Sequence, residues 1–500
     1  MRARDPAILK ACLRPSARDL PGRVARGAVW MTLLVVLRTV LTIASTAVLA
    51  RLLTPADYGL VAMSTVVTEM AALLGFFGMT PLIVQRRRLT RLDLDSAFWI
   101  SVALGFGVAA IVVATSFPAA SFFREPRIAP ILWAVSVQFV LEDLSIIHHS
   151  IANRLLLFKL EFVSQFANLL VRIGVSIALA AAGFGVWSLV WGAIAGRVAQ
   201  FVIIWYVIPY VPRWRYNAEF LRANWRAGGS YFGSGVIMYV LGSLDTAVVG
   251  RTFGPTQLGY YQTAFALPEE MRSRLSFSMQ KVVFPAYALL QADQSAFRNG
   301  VLRSIRILSA IILPMGVGMA VLADPIVAVL YGSQWAPVVP ILRIAAAVGV
   351  LRAMQGLVSN VYFAKGRPQI NLKVNLALLP LAVIAVLVGS LWGTLGVATG
   401  LLLVSAVSLA TTRIALRLVG VRSRDALAAA LPATAASIVM GAGVWLVNAL
   451  VIPGSAGPVS ALVASVCIGV GLFGAALVLL APATARELWS MLRHLRSQPA

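Results

Sequence analysis

The nonapeptide RLLTPADYG (51–59) returns near mid-chain as RTFGPTQLG (251–259), with Arg51 over Arg251, Pro55 over Pro255 and Gly59 over Gly259. Each copy lies at the end of a long apolar run. At a slightly larger offset APIL (129–132) falls on VPIL (339–342), and the pairs Gly192/Gly196 and Gly396/Gly400 recur near the last run of each half. Matches that keep their order along the chain read as a duplicated unit, an organisation common among membrane transporters. Six apolar runs separate the copies. An even number restores the starting direction, so the halves are expected to be parallel repeats related by an axis along the membrane normal.

The chain of 500 residues is 60% hydrophobic and 12% charged, whereas soluble domains carry roughly a quarter charged residues. This excludes a water-soluble globule, a disordered chain and a disulfide-built module. Cys12 and Cys467 are too few and too differently placed for a structural disulfide or a metal centre, and no cofactor is implied. About fourteen runs, from 28–50 to 459–481, reach the ~20 apolar residues that a transmembrane helix needs. The expected fold is therefore an all-α polytopic membrane protein of about fourteen transmembrane helices, in which two parallel-related six-helix lobes enclose a central cavity and two extra C-terminal helices follow. Its expected parts are a basic cytoplasmic segment (1–27), a first lobe (28–211), an amphipathic surface linker (212–227), a second lobe (228–417), and helices thirteen and fourteen with a tail (418–500). That last pair holds few polar groups and reads as lipid-facing.

A net charge of +24 in a soluble protein would suggest nucleic acid. Here the charge has a topological reading. With the N-terminus in the cytoplasm, most of the 42 Lys and Arg fall on the inner side, while Arg51, Arg124, Arg127 and Arg251 mark the outer side. Both termini are thus expected in the cytoplasm, with the chain in a bacterial inner membrane, in contact with its lipids, and no nucleic-acid partner. The run before VLA (48–50) is too long for a secretory core and contains Arg38, so it reads as an uncleaved span.

Charged groups inside spans are costly and mark functional paths. In the fourth run Gln138, Glu142, Ser145, His149 and Asn153 share one helical face, as do Glu161, Gln165, Asn168, Arg172 and Ser176 in the fifth. The tenth carries Arg352, Gln355, Ser359 and Tyr362, and the first carries Arg38, Thr42 and Ser45. Single residues of this kind also serve as polar glue between helices; polar stripes on several spans point to a wet cavity. Asp245, Glu69 and Glu142 are candidates for binding a coupling proton or sodium ion, and Glu269 and Glu270 are further acids near membrane depth. Pro268, and Gly78 with Pro81, are expected to interrupt their helices. His148 and His149 lack a spaced third ligand, so no metal site is expected, and no hydrolase, nucleotide-binding or metalloprotease motif is present. Nothing argues for an enzyme.

The stretches LARLLTPADYGLVAMS (49–64), YGSQWAPVVPILRIAAA (331–347) and NVYFAKGRPQINLK (360–373) resemble the polysaccharide-transporter branch of the multidrug/oligosaccharidyl-lipid/polysaccharide exporter superfamily. Within it they are most similar to bacterial exopolysaccharide flippases of the colanic-acid-exporter type. The resemblance spans about residues 25–420 and implies twelve core helices, alternating access, and export of an oligosaccharide repeat unit on undecaprenyl pyrophosphate for exopolysaccharide or lipopolysaccharide synthesis. It also implies a place beside a polysaccharide polymerase and export machinery. A pyrophosphate needs cations, and guanidinium groups bind it through a fork of donors, which makes Arg38, Arg172 and Arg352 the candidate head-group ligands. Gln138, Asn168 and Gln355 are candidates for the sugar hydroxyls. The alternatives are a multidrug exporter, which would want an acidic and aromatic cavity, and a glycan polymerase or ligase, which would want acids or histidines on a large outer loop.

Overall fold

A computed structural model describes residues 20–75, 83–84, 86, 89–215, 217–290, 293–450, 457–482 and 484–486. Among these residues there are fourteen α-helices and no strands. They are α1 (Leu20–Leu52), α2 (Pro55–Gly75), α3 (Arg91–Phe123), α4 (Ile128–Arg154), α5 (Phe158–Ala181), α6 (Val186–Val207) and α7 (Ala218–Leu289). There follow α8 (Gln294–Val321), the short α9 (Ala323–Leu330), α10 (Val338–Ala364), α11 (Pro368–Gly389), α12 (Gly393–Leu418), α13 (Ser423–Leu450) and α14 (Pro458–Leu480). Ten stretches of the described residues are long and apolar enough to cross a membrane. The two runs expected at 229–250 and 257–289 both lie in α7, which Gly254 breaks with φ 78°. The chain divides into two compact units, 1–259 and 260–500.

Helix boundaries follow local chemistry. Thr54 and Asp57 form a reciprocal cap, with Asp57 Oδ2 accepting from the Thr54 amide at 2.9 Å and its hydroxyl at 2.7 Å, and Pro55 takes the first turn, where no amide donor is needed. Thr90 and Asp93 make the same box at the start of α3. In the first unit the core joins Leu94 and Phe98 of α3, Ile147 and Ile151 of α4, and Ile204 of α6. In the second, Phe297, Val301, Ile305, Leu308 and Ile312 form one face of α8 against Leu357 and Val361 of α10 and Leu416 of α12. The outward faces stay apolar: Leu403 is 67% exposed and Leu479 81%, a surface that suits lipid and not water.

Hydrocarbon gives helices no hydrophobic reason to associate, so small residues must bring backbones close. A Cβ on Gly192 would stand 1.9 Å from Ser176 Oγ of α5, and one on Gly196 2.7 Å from the Asn168 carbonyl. In the second unit a Cβ on Gly396 would stand 2.1 Å from the Gly389 carbonyl of α11. The two glycine pairs thus seat the last core helix of each half on the helix before it. α13 buries Ala429, Ala433, Ala436, Met440 and Gly441 and packs on α8, so this helix is seated on the second unit and only its other face is free for lipid.

Three local expectations change. Residues 218–227, read as part of a surface linker, are the first turns of α7 and run into the seventh span without a break; Ala, Glu, Leu and Arg there favour continuation. Tyr210, Arg213 and Asn217 are tied instead to the first turns of α3. The Tyr210 hydroxyl donates to Asp95 at 2.8 Å, the Arg213 amide also reaches Asp95, and Trp99 Nε1 donates to the Arg213 carbonyl at 2.9 Å. Burial and the Asp95 carboxylate push the Tyr210 phenol above its usual range, so it stays a donor. Pro268 lies within continuous helix, with Gly349 of α10 leaving room beside its ring. Gly78, Pro81 and residues 1–19 of the basic segment lie outside the described residues.

Candidate functional site

In the first unit α6 packs against both α4 and α5, and α1 packs against α5. This arrangement turns the two polar stripes of α4 and α5 into one network. His149 Nδ1 meets Glu161 Oε2 at 2.9 Å, and Gln165 donates to the other Glu161 oxygen at 2.7 Å. Asn168 donates to Gln200 Oε1 at 3.0 Å, and Gln200 Nε2 lies 3.4 Å from His149 Nε2. Five polar side chains from three helices therefore form an unbroken chain, which is how polar groups at membrane depth avoid the cost of lost hydrogen bonds.

Beside it lies an excess of positive charge. Arg172, within α5, is exposed, and its charged neighbours are Arg38 of α1 and Arg197 of α6. Arg197 pairs with Glu142 at 3.2 Å. Among the described residues neither Arg38 nor Arg172 has an ion pair or a side-chain hydrogen bond. The small face of α6 explains the approach: Arg172 Cβ and Asn168 sit directly over Gly196.

The other expected residues are distributed more widely. Gln138 is half-buried on α4 in the same stripe as Glu142. Glu69 is exposed on α2, within electrostatic reach of Tyr239. Asp245 is half-buried in α7 and already engaged in an interaction. In the second unit Arg352 and Gln355 are half-buried on α10, without side-chain hydrogen bonds among the described residues. Glu269 and Glu270 are neutralised on their own helix by Arg272 and Arg274, the latter donating from Nε at 2.7 Å. His148 points away from the network: it is fully buried, stacks on Trp205 at 4.3 Å and meets the Tyr210 carbonyl at 3.1 Å.

Arg197 and Gln200 were not singled out by the stripe pattern. Their signal was present, because a charged residue adjoins the glycine that faces α5 and an amide follows three residues later. The arrangement as a whole offers guanidinium groups without a neutralising acid, flanked by amides. It is suited to an anion with hydroxyl-bearing neighbours, and it presents no nucleophile with an adjacent base.

The chain is 26% identical over 400 residues to the lipopolysaccharide biosynthesis protein WzxC of Escherichia coli (strain K12), covering 78% of this chain and 80% of that one. It is 24% identical over 299 residues to the succinoglycan biosynthesis transport protein ExoT of Rhizobium meliloti (strain 1021), covering 60% of each. Its fold matches that of the lipid II flippase MurJ in an inward closed conformation, with a TM-score of 0.71 at 15% identity, over 91% of this chain and 99% of that one. An inward-facing multidrug resistance MATE family transporter of the MOP superfamily matches with a TM-score of 0.55 at 16% identity, over 76% and 95%. The family described as polysaccharide biosynthesis protein matches residues 48–340. This multi-pass membrane protein belongs to that family.

Proposed function

We propose that the protein is a flippase that moves undecaprenyl-pyrophosphate-linked oligosaccharide units from the inner to the outer leaflet of a bacterial inner membrane, with both termini in the cytoplasm. The observation that carries this reading is the placing of Arg38 and Arg172 together, exposed and without a carboxylate partner among the described residues. Unpaired charge at membrane depth is costly unless a ligand supplies the counter-charge, and a pyrophosphate does so through charge-assisted hydrogen bonds. Asn168 and Gln138 then face the first sugars, and Arg352 and Gln355 of the second unit are further candidates for the head group and the sugars. The lipid tail stays in the bilayer. Outward movement of an anionic head is favoured by about 2.3 kcal/mol per charge per 100 mV of inside-negative potential. Relatives named for lipopolysaccharide biosynthesis and succinoglycan transport support the substrate class. The same positive cluster repels the organic cations that a multidrug exporter carries, and the residues bind and release head groups without bond chemistry. The reading places the protein beside a polymerase and export machinery, with Asp245, Glu69 and Glu142 as acids for ion coupling.

The test is transfer in vesicles. Purified protein in proteoliposomes should move fluorescent lipid-linked oligosaccharide between leaflets at least tenfold faster than protein-free vesicles. Equal rates would reject the reading.

A further inference from the structure

His149 stands between an acid, Glu161 of α5, and an amide, Gln200 of α6. Gln200 accepts from Asn168 through Oε1, so its NH2 end is the one that faces His149 Nε2. In that orientation Nε2 is the accepting nitrogen, and Nδ1, 2.9 Å from Glu161 Oε2, is the donating one. One tautomer of the ring satisfies both contacts when the Gln200 NH2 faces it.

We propose that His149, held between Glu161 and Gln200, is a proton-binding site linked to anion binding at the arginine cluster. This rests on the head-group reading of Arg38 and Arg172. A proton on Nε2 turns an acceptor into a donor, so Gln200 must reverse its amide to offer Oε1. Its NH2 then faces Asn168, which must reverse in turn and accept through Oδ1. The donor pair of Asn168 is released toward Arg172, one helical turn further along the same face of α5. Protonation thus adds one positive charge and converts an acceptor near the arginines into two donors; both changes favour an anionic ligand. By linkage the ligand draws in the proton to the same degree.

Around α4 two groups can take up this proton, His149 and the half-buried Asp143, and the variants below tell them apart. On α4 itself Glu142 is paired with Arg197 of α6, Arg154 donates to the Ile83 carbonyl, His148 is held by Tyr210, and Asp143 lies against Gly105 of α3. From α3, Asp93 is bound to Arg86, Asp95 to Tyr210, and Arg91 to the Val211 carbonyl. From α2, Asp57 caps its own helix and Glu69 is exposed. From α5, Lys159 stands over the Trp30 ring, Glu161 is the partner of His149, and Arg172 belongs to the cluster.

The experiment measures undecaprenyl pyrophosphate binding to the full chain in nanodiscs of neutral lipid between about pH 7.5 and about pH 5.5, together with proton uptake in weak buffer. Wild type should bind about tenfold more tightly at the acidic end and take up a fraction of a proton approaching about one. His149→Gln and Gln200→Met should show less than about a twofold change, the part due to the ligand's own ionisation. The same pH dependence in wild type and His149→Gln, or in Gln200→Met, would overturn the proposal. Should one variant fail to fold, wild-type binding with no proton uptake would still overturn it. No binding by wild type at any pH would reject the head-group reading itself, a distinct outcome from binding that ignores pH.

Discussion

Arg172→Ala is expected to slow lipid-linked oligosaccharide transfer in proteoliposomes by at least about tenfold while leaving the protein folded, because one lost charge-assisted hydrogen bond to phosphate is worth about 1.5–3 kcal/mol. Folding should survive because the packing of α5 on α6 uses the Arg172 backbone and Cβ, which alanine keeps: the Arg172 carbonyl would lie 2.9 Å from a Cβ on Gly192, and the Arg172 Cβ 3.0 Å from one on Gly196. The variant also relieves the repulsion from Arg38 and Arg197, so its thermal stability should stay level or rise. This opposition of signs separates a ligand-binding arginine from a structural one. Arg172→Lys keeps the charge and loses the fork of donors, and should fall between wild type and alanine. A fall in stability equal to the fall in transport would assign Arg172 to packing instead.

Gly59→Ala and Gly259→Ala should each cost about 3 kcal/mol or more, at the upper end of overpacking effects. The repeated nonapeptide makes a reciprocal contact. A Cβ at Gly59 would lie 1.8 Å from the Pro255 carbonyl oxygen, and one at Gly259 would lie 1.8 Å from the Pro55 carbonyl oxygen. Both obstacles are backbone, held by helix starts that cannot give way as a side-chain tip would. Each glycine of one copy thus receives the proline carbonyl of the other, and the close approach admits weak Cα–H···O contacts. The double variant should cost less than the sum, since both substitutions open one seam. Unfolding of detergent-solubilised protein, with the yield of monodisperse material, measures the effect. Two variants as stable as wild type would show that the crossing is not close.

This seam also explains why the repeat was visible in the sequence. Gly59/Gly259 and Pro55/Pro255 are held fixed by one mutual contact, while the residues between them are free to differ. The polar faces of α4 and α5 were legible for a similar reason, since helical spacing alone places Glu142 with His149 and Glu161 with Arg172. Which residue answers which was not legible. That Glu142 meets Arg197, and His149 meets Glu161, depends on how far α6 sinks between its neighbours, and Gly192 and Gly196 set that depth. Pro268 misled for a local reason: the sequence shows a lost amide donor but not the space beside Gly349 that accommodates the ring. The linker misled because its basic amphipathic pattern fits a surface helix and the first turns of a span equally well.

On the proposed reading the arginine cluster recognises a phosphorylated head group. Its most direct measurement compares the affinities of the full chain in neutral-lipid nanodiscs for undecaprenyl pyrophosphate, undecaprenyl phosphate and undecaprenol. Affinity should fall by at least about tenfold from the pyrophosphate to the uncharged alcohol, with the monophosphate between them, and the difference should collapse in the Arg38→Ala, Arg172→Ala double variant. Equal affinity for all three lipids, or a preference that survives loss of both arginines, would contradict the account.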